Sequence, residues 1–446
     1  VGDAAARAVT VGIDIGTTSV KAVAAEGDGT IVARTRVPHR LHNPDADTFE
    51  HDARAAWVNG VLTAWNSVAD GRDVAAALVS AMVPSLCGVD DDGMPVTPGL
   101  LYGDARGRGY DDAAGGMGEA LGFAQALAAQ ASGARLWPAQ AVANHALCGV
   151  GGIDTSTAMT MQPLFTGTGW DETHLDPIGV ESDQLPLFVV GSDPLGTRGD
   201  TVFGGGTIDA LAEQRVGDAT AAGDVMVICG TTLIPWALTT EWIEVDGLWT
   251  IPYTVPGVIA VGGASNAGGL FIDHVRRLTG DPAPDEVLAV PPVDRPVWLP
   301  YIRGERTPFH DHTRRARLVD VDTNHDAAAV MAAAYDAAAM VVRHHLDLAR
   351  PQLDAADTPP TRIVAAGGGT QSAAWMQSLA DITSLPVDVS THPEGAALGA
   401  AFAARDVVGL ETNDSWRSTS HRVEPRPDHV DAAEARYIRF REEAQR

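Results

Sequence analysis

Twice in its 446 residues the chain runs an apolar, strand-like segment into Gly-Thr-Thr: GIDIGTT at 12–18 and VICGTT at 227–232. Each is followed by further strand-like runs. After the first come SVKAVAAEG, a GDG turn signal and TIVARTRVP; after the second come LIPWALTT, GLWTIPYT and VIAVGG. A strand, a glycine-hydroxyl turn and a returning strand, used twice, constrain the fold to two similar halves, and two such turns suggest halves that face one ligand.

The length agrees, since 446 residues exceed what one hydrophobic core usually supports. We place the boundary at residues 1–222 and 223–446. In the first half Asp52 can cap a helix through Trp57 and Leu62, AAALVSAMV reads as a buried strand, and helical stretches run from about 110 to 131. The Gly/Pro/Asp/Thr-rich segment 150–200 reads as loops and short helices around a surface rather than a core. In the second half a helix is expected from about Ala267 to Leu278 and a long Ala-rich one from about Asp326 to Ala349. RIVAAGGG is then a strand into a glycine turn, SAAWMQSLADITS a helix, PVDVS a strand and EGAALGAAFAARDV a helix. Strand, turn, helix, strand, helix is an α/β order.

Charge and cysteine usage remove several function classes. A formal net charge of -27 disfavours polyanions and anionic membranes, so nucleic acid is not an expected partner. Cys87, Cys148 and Cys229 lie far apart with no CxxC pair, which points to a reducing compartment and to no zinc or iron-sulfur site. No apolar run reaches membrane-spanning length, and VGDAAARAVT lacks the features of a signal peptide, so a cytoplasmic protein is expected. Among 31 basic residues one is lysine, Lys21, and it lies inside the first turn motif.

Five residue groups can carry chemistry. Around the first turn are Asp14, Gly16, Thr17, Thr18, Ser19 and Lys21: glycine lets backbone approach a phosphate, N–H groups and hydroxyls donate to its oxygens, and lysine adds positive charge. Asp14 cannot bind phosphate itself, and its natural partner is a hydrated Mg²⁺ bridging phosphate oxygens; a plain hairpin with a solvated lysine is the alternative. Gly230, Thr231 and Thr232 can grip phosphate from the other half. In GGGTIDALAEQRVG, Asp209 stands at a helix start, as an N-cap or as a general base for an attacking hydroxyl, and both roles are compatible. AGGGTQSAAWMQ is a strand-to-glycine turn that leaves room for a ribose or base, though its spacing is not the dinucleotide fingerprint. In LLYGDARG, Asp104 and Arg106 are either sugar ligands or a salt bridge.

Taken in order, GIDIGTTSVKAV, GGGTIDALAEQRVGDA, VICGTT, YIRGERTP and AAGGGTQSAAWMQSLADITSLPV with EGAALGAA resemble the FGGY carbohydrate kinases, from about residue 10 to 408. FEHDARAAW and LLYGDARG also fall where members carry similar text, and the xylulose kinase branch is the most similar. The resemblance implies an α/β fold of two ribonuclease-H-like domains, of the actin, hexokinase and Hsp70 type, closing over an ATP and sugar cleft. It implies Asp209 as catalytic base and Asp14 as the carboxylate near Mg²⁺. Gly16, Thr17, Thr18 and Lys21 would meet the transferred phosphoryl group, and Gly230, Thr231 and Thr232 the ATP phosphates. Gly268, Gly367, Gly368 and Ser372 fall on the nucleotide side, while Asp104 and Met82 fall on the acceptor side with Asp209. The expected partners are ATP and a small sugar or polyol, with a homodimer as the candidate assembly.

The chain departs from this pattern where the acceptor is chosen. Xylulose kinases usually carry Gln-Met-His where Met82, Val83 and Pro84 stand, so two hydrogen-bonding side chains are missing, and Ala210 replaces a usual Asn. The region around 140–152 is also shortened. The expected reaction is ATP-dependent phosphorylation of a ketopentose such as xylulose, with ribulose, erythritol or a glycerol-like polyol as competitors. An actin-like ATPase would not need GGGTIDA, LLYGDARG and GERTP as a set. A non-catalytic sugar-binding regulator would have lost Asp14 or Asp209, and both are present.

Overall fold

The computed structural model describes residues 8–45, 47–108, 118–392 and 394–446. These form two compact units. The first comprises the chain up to Val216 together with Glu394–Trp416, and the second Gly217–Pro393 together with Arg417–Arg446. The first part of the helical stretch expected from 110 lies outside the described residues; its remainder is a helix at Glu119–Gln130.

The first unit is built on one sheet. Its strands are β1 (Val9–Ile15), β2 (Ser19–Ala25), β3 (Ile31–Pro38), β4 (Val74–Ala81), β5 (Pro194–Arg198), β6 (Thr201–Gly204) and β7 (Thr207–Ile208). They run in the order β5-β6-β4-β1-β2-β3, with β7 also pairing β4. The hairpins β1–β2 and β2–β3 are antiparallel, whereas β4 lies parallel to β1, β6 and β7. β1 and β4 are apolar along almost their whole length because they are central and covered on both faces; β3, at the edge, alternates half-buried and exposed residues.

The second unit repeats the plan. Its strands are β8 (Asp224–Cys229), β9 (Leu233–Thr239), β10 (Trp249–Pro252), β11 (Ile259–Gly262), β12 (Arg362–Ala366), β13 (Val387–Ser390) and β14 (Thr419–Val423). The order is β10-β11-β9-β8-β12-β13-β14, again an antiparallel meander beside strands parallel to the first. Each Gly-Thr-Thr turn therefore joins the first two strands of its own sheet. The helices used below are α1 (Ala139–Cys148), α2 (Asp209–Val216), α3 (Gly269–Thr279), α4 (Ala327–Ala355), α5 (Ala373–Thr383) and α6 (Gly395–Val407).

Two features differ from the sequence reading. The chain does not divide at residue 222: the first unit ends at Val216, and α6 returns to it from beyond the second. The cause is packing. A Cβ on Gly12 of β1 would lie 1.9 Å from the carbonyl oxygen of Ala397, and one on Gly399 would lie 1.8 Å from that of Ala212, so α6 rests directly on β1 and α2. The Thr10 hydroxyl donates to Ala401 O at 2.8 Å on the same face. Segment 150–200, read as surface, contributes Ile153, Leu164, Phe165, Leu175, Val180 and Leu185 to the first unit's core. Phe165 lies 5.1 Å from both Trp170 and Phe188, a small aromatic core that turn-rich sequence conceals.

Candidate active site

In the first unit, Asp14 is opposite Lys21 on β2 and Ser80 on β4, so the three side chains share one face at the end of the sheet. Asp14 is buried, and Ser80 Oγ donates to its Oδ1 at 3.4 Å. Burial pushes the Asp14 carboxyl up to about 7, against the pull of Lys21 and with a further push from Asp209. Asp209 begins α2, brought there by β7, and its Oδ1 accepts from the Ala210 amide at 2.7 Å. The structure thus brings Asp14, Lys21 and Asp209 within electrostatic reach of one another.

A fourth group joins them. Glu213 lies one helical turn after Asp209 on α2, and burial raises its carboxyl to about 8; Lys21 opposes this, while Asp209 and Asp14 add to it. The amide of Ala396 at the start of α6 donates to it. Its Oε2 is buried with no hydrogen-bond partner among the described residues. Burial thus favours the protonated form of Glu213 and works against a third negative charge beside Lys21. Its signal in the sequence is an acidic residue four positions after Asp209, a spacing that by itself marks no site.

The turn between β1 and β2 is closed by Gly16 N donating to Ser19 O at 3.1 Å. Thr18 is exposed, and its carbonyl accepts from His39 N. Thr17 is held from two sides: its hydroxyl lies 3.3 Å from Tyr102 OH, and its carbonyl oxygen lies 2.8 Å from His51 Nε2. His51, in FEHDARAAW, is wholly buried and stands edge-on to His39 with ring centroids 4.4 Å apart. Neither contact is readable from sequence spacing.

Asp104 and Met82 lie inside the fold. Asp104 is fully buried, and its carboxylate accepts from Phe49 N and from the Arg106 amide, Nε and Nη2 at 2.6–2.9 Å, while Arg106 Nη1 reaches Glu50. Four donors within the fold meet its two oxygens, which is the salt-bridge arrangement the sequence offered as one alternative. Met82 is 2 % exposed and packs in the first unit's core.

In the second unit the predicted nucleotide residues converge. Gly230 N donates to Thr232 O at 3.1 Å, and the amides of Gly269 and Leu270, at the start of α3, donate to the carbonyls of Gly230 and Thr231. Gly268 is pressed on this turn: a Cβ there would lie 2.4 Å from the Thr232 carbonyl carbon. Gly367, at φ +88°, backs onto Cys229 and Gly230, whereas Gly368 has open space around it. Ser372 accepts from Trp375 N as the N-cap of α5.

Asp14 offers one buried carboxylate, a donor suited to a Mg²⁺ ion that brings phosphate oxygens as its other ligands. The described residues contain no group of three His, Cys, Asp or Glu that could hold a metal.

Comparison with known proteins identifies the lineage of this arrangement. The model of the FGGY family of carbohydrate kinases, N-terminal domain, matches residues 9–113, and the C-terminal domain model matches 225–405. A xylulose kinase of Streptomyces coelicolor is 27% identical, covering 94% of this chain and 91% of its own. A gluconokinase of Bacillus subtilis is 24% identical, covering 90% and 87%. Among solved structures, a gluconate kinase from Lactobacillus acidophilus superposes with a TM-score of 0.80 at 20% identity, over 98% of this chain and 97% of that one.

Proposed function

The chain belongs to the FGGY family of carbohydrate kinases, phosphotransferases acting on an alcohol group, and on that premise we propose that it moves the γ-phosphoryl group of ATP to a hydroxyl of a small ketopentose such as xylulose. The observation that carries the reading is the grouping of Asp14, Lys21 and Asp209 at one end of the first sheet.

In this reading Asp209 accepts the hydroxyl proton as the oxygen attacks phosphorus. An alcohol is a poor nucleophile, and most of the acceleration comes from alignment and from neutralising the phosphate oxygens. Lys21 and the Thr17 and Thr18 amides of the first turn serve that neutralisation, while Gly230, Thr231 and Thr232 hold the nucleotide phosphates. Asp14 would hold Mg²⁺, which when bound supplies charge to the same oxygens. Asp209, Asp14 and Glu213 compete for the positive charge of Lys21, and a cation arriving with phosphate would relieve that competition.

A linear polyol or a sugar acid is the second reading of the acceptor. Met82, Val83 and Pro84 stand where two hydrogen-bonding side chains are usual, and one relative is named gluconokinase. Coupled ADP release with Mg-ATP, measured across ketopentoses, polyols, glycerol and gluconate, tests both. If no acceptor raises turnover above the water background, the kinase reading gives way to a sugar-binding regulator.

A further inference from the structure

GERTP has no role in the reading above, yet the structure ties it to the second Gly-Thr-Thr turn. Glu305 is 3 % exposed, and its carboxylate accepts from Ser265 Oγ at 2.7 Å, Asn266 N at 2.9 Å and Arg306 N at 2.8 Å. Thr307 Oγ1 donates to Ala264 O at 3.0 Å, and Asn266 Nδ2 donates to Gly304 O at 3.1 Å. Both neighbours of Arg306 are thus pinned to the segment 264–266, which leads directly to Gly268. From that fixed base the Arg306 side chain extends to the turn, and its Nη2 donates to Thr232 Oγ1 at 3.1 Å.

We propose that Arg306 is the cation that binds nucleotide phosphate in the second unit, acting beside the Thr232 hydroxyl; this rests on the ATP reading above. A hydroxyl that accepts from a guanidinium points its own proton elsewhere, so the Thr232 hydroxyl keeps that proton to donate to a phosphate oxygen. The amides at the start of α3 are already given to the carbonyls of Gly230 and Thr231, so that helix end is not free to neutralise phosphate. The half-buried Arg306 guanidinium also lies within electrostatic reach of the Glu305 carboxylate, and with its backbone fixed it presents a fork that suits phosphate oxygens at little ordering cost.

The test is nucleotide affinity of the full chain by calorimetry, with ATP, ADP and AMP in the presence of Mg²⁺. Arg306→Gln should weaken ATP and ADP by about tenfold or more while leaving AMP within about twofold, because the loss follows the outer phosphates. Arg306→Lys, which keeps the charge without the fork, should lose less. Thr232→Val should weaken ATP by itself and add little on top of Arg306→Gln. ATP affinity within twofold of wild type in Arg306→Gln, or equal losses for ATP and AMP from a collapsed turn, would overturn the assignment. Wild-type protein that binds no adenine nucleotide would instead sink the ATP reading. Thermal unfolding of each variant separates a lost fold from a lost contact.

Discussion

The indole N–H of Trp57 donates to Nδ1 of His51 at 3.0 Å, and the opposite ring nitrogen of His51 lies 2.8 Å from the Thr17 carbonyl oxygen. An acceptor at Nδ1 forces the proton onto Nε2, so the imidazole is a neutral donor aimed at the turn. Burial agrees, holding the ring well below its ordinary value, at about 4. His51→Leu should therefore leave the sheet intact but loosen the Gly16–Thr18 turn, lowering kcat by about tenfold with little change in KM for the acceptor. His51→Gln, which restores an N–H, should recover most of it. Steady-state kinetics in both substrates decide, and a His51→Leu enzyme with normal kcat removes the turn-positioning role.

Asp209→Asn keeps the shape and hydrogen bonding at the start of α2 but removes the proton acceptor. Phosphorylation should fall by about 10²–10⁴-fold while ATP affinity stays unchanged. Turnover near that of wild type would take Asp209 out of the base role.

Glu213 makes stability depend on pH in a known direction. Its folded-state carboxyl, at about 8, holds a proton that the unfolded chain releases near the ordinary value of 4.5. Its contribution is fully favourable below about 4.5 and is lost as pH rises towards 8, because over that window the folded state binds the extra proton. Glu213→Gln removes this term. Its melting temperature should gain on wild type between pH 5 and pH 9 in matched buffers without Mg²⁺. A gap that stays constant, or moves the other way, contradicts a protonated Glu213.

Asp104→Ala should act on stability rather than on acceptor binding. It removes the carboxylate that holds Phe49 N and the Arg106 side chain, for a loss of roughly 2 kcal/mol or more by the usual worth of hydrogen bonds to charged groups. Urea unfolding should show the loss while KM for the acceptor is kept. A large rise in that KM with unchanged stability would restore Asp104 as a sugar ligand.

The sheets were legible because their evidence is local. Apolar runs, the GDG signal and the two Gly-Thr-Thr turns located β1, β2, β3, β8 and β9 without reference to anything distant. What spacing could not decide was how side chains spend their bonds. Asp104 and Arg106 are two residues apart under either interpretation, and only burial assigns the carboxylate to Phe49 and Arg106. His51, Glu213 and Arg306 entered the account through partners 34, 183 and 74 residues away, namely Thr17, Ala396 and Thr232. The return of α6 was hidden for the same reason: an Ala-rich helix carries no mark of which sheet it will cover. The complementary glycines, Gly12 and Gly399, were its only trace in the text.

That return has a consequence for biosynthesis. Because the helix covering β1 is encoded after residue 394, the ribosome must make all of 217–393 before the N-terminal sheet can receive its cover. A nascent chain arrested at residue 393 would hold Gly12 and its apolar neighbours open to solvent and to protease, and one arrested well beyond 416 would protect them. Limited proteolysis of stalled chains reads this directly; equal protection in both would mean that the sheet closes without its late helix.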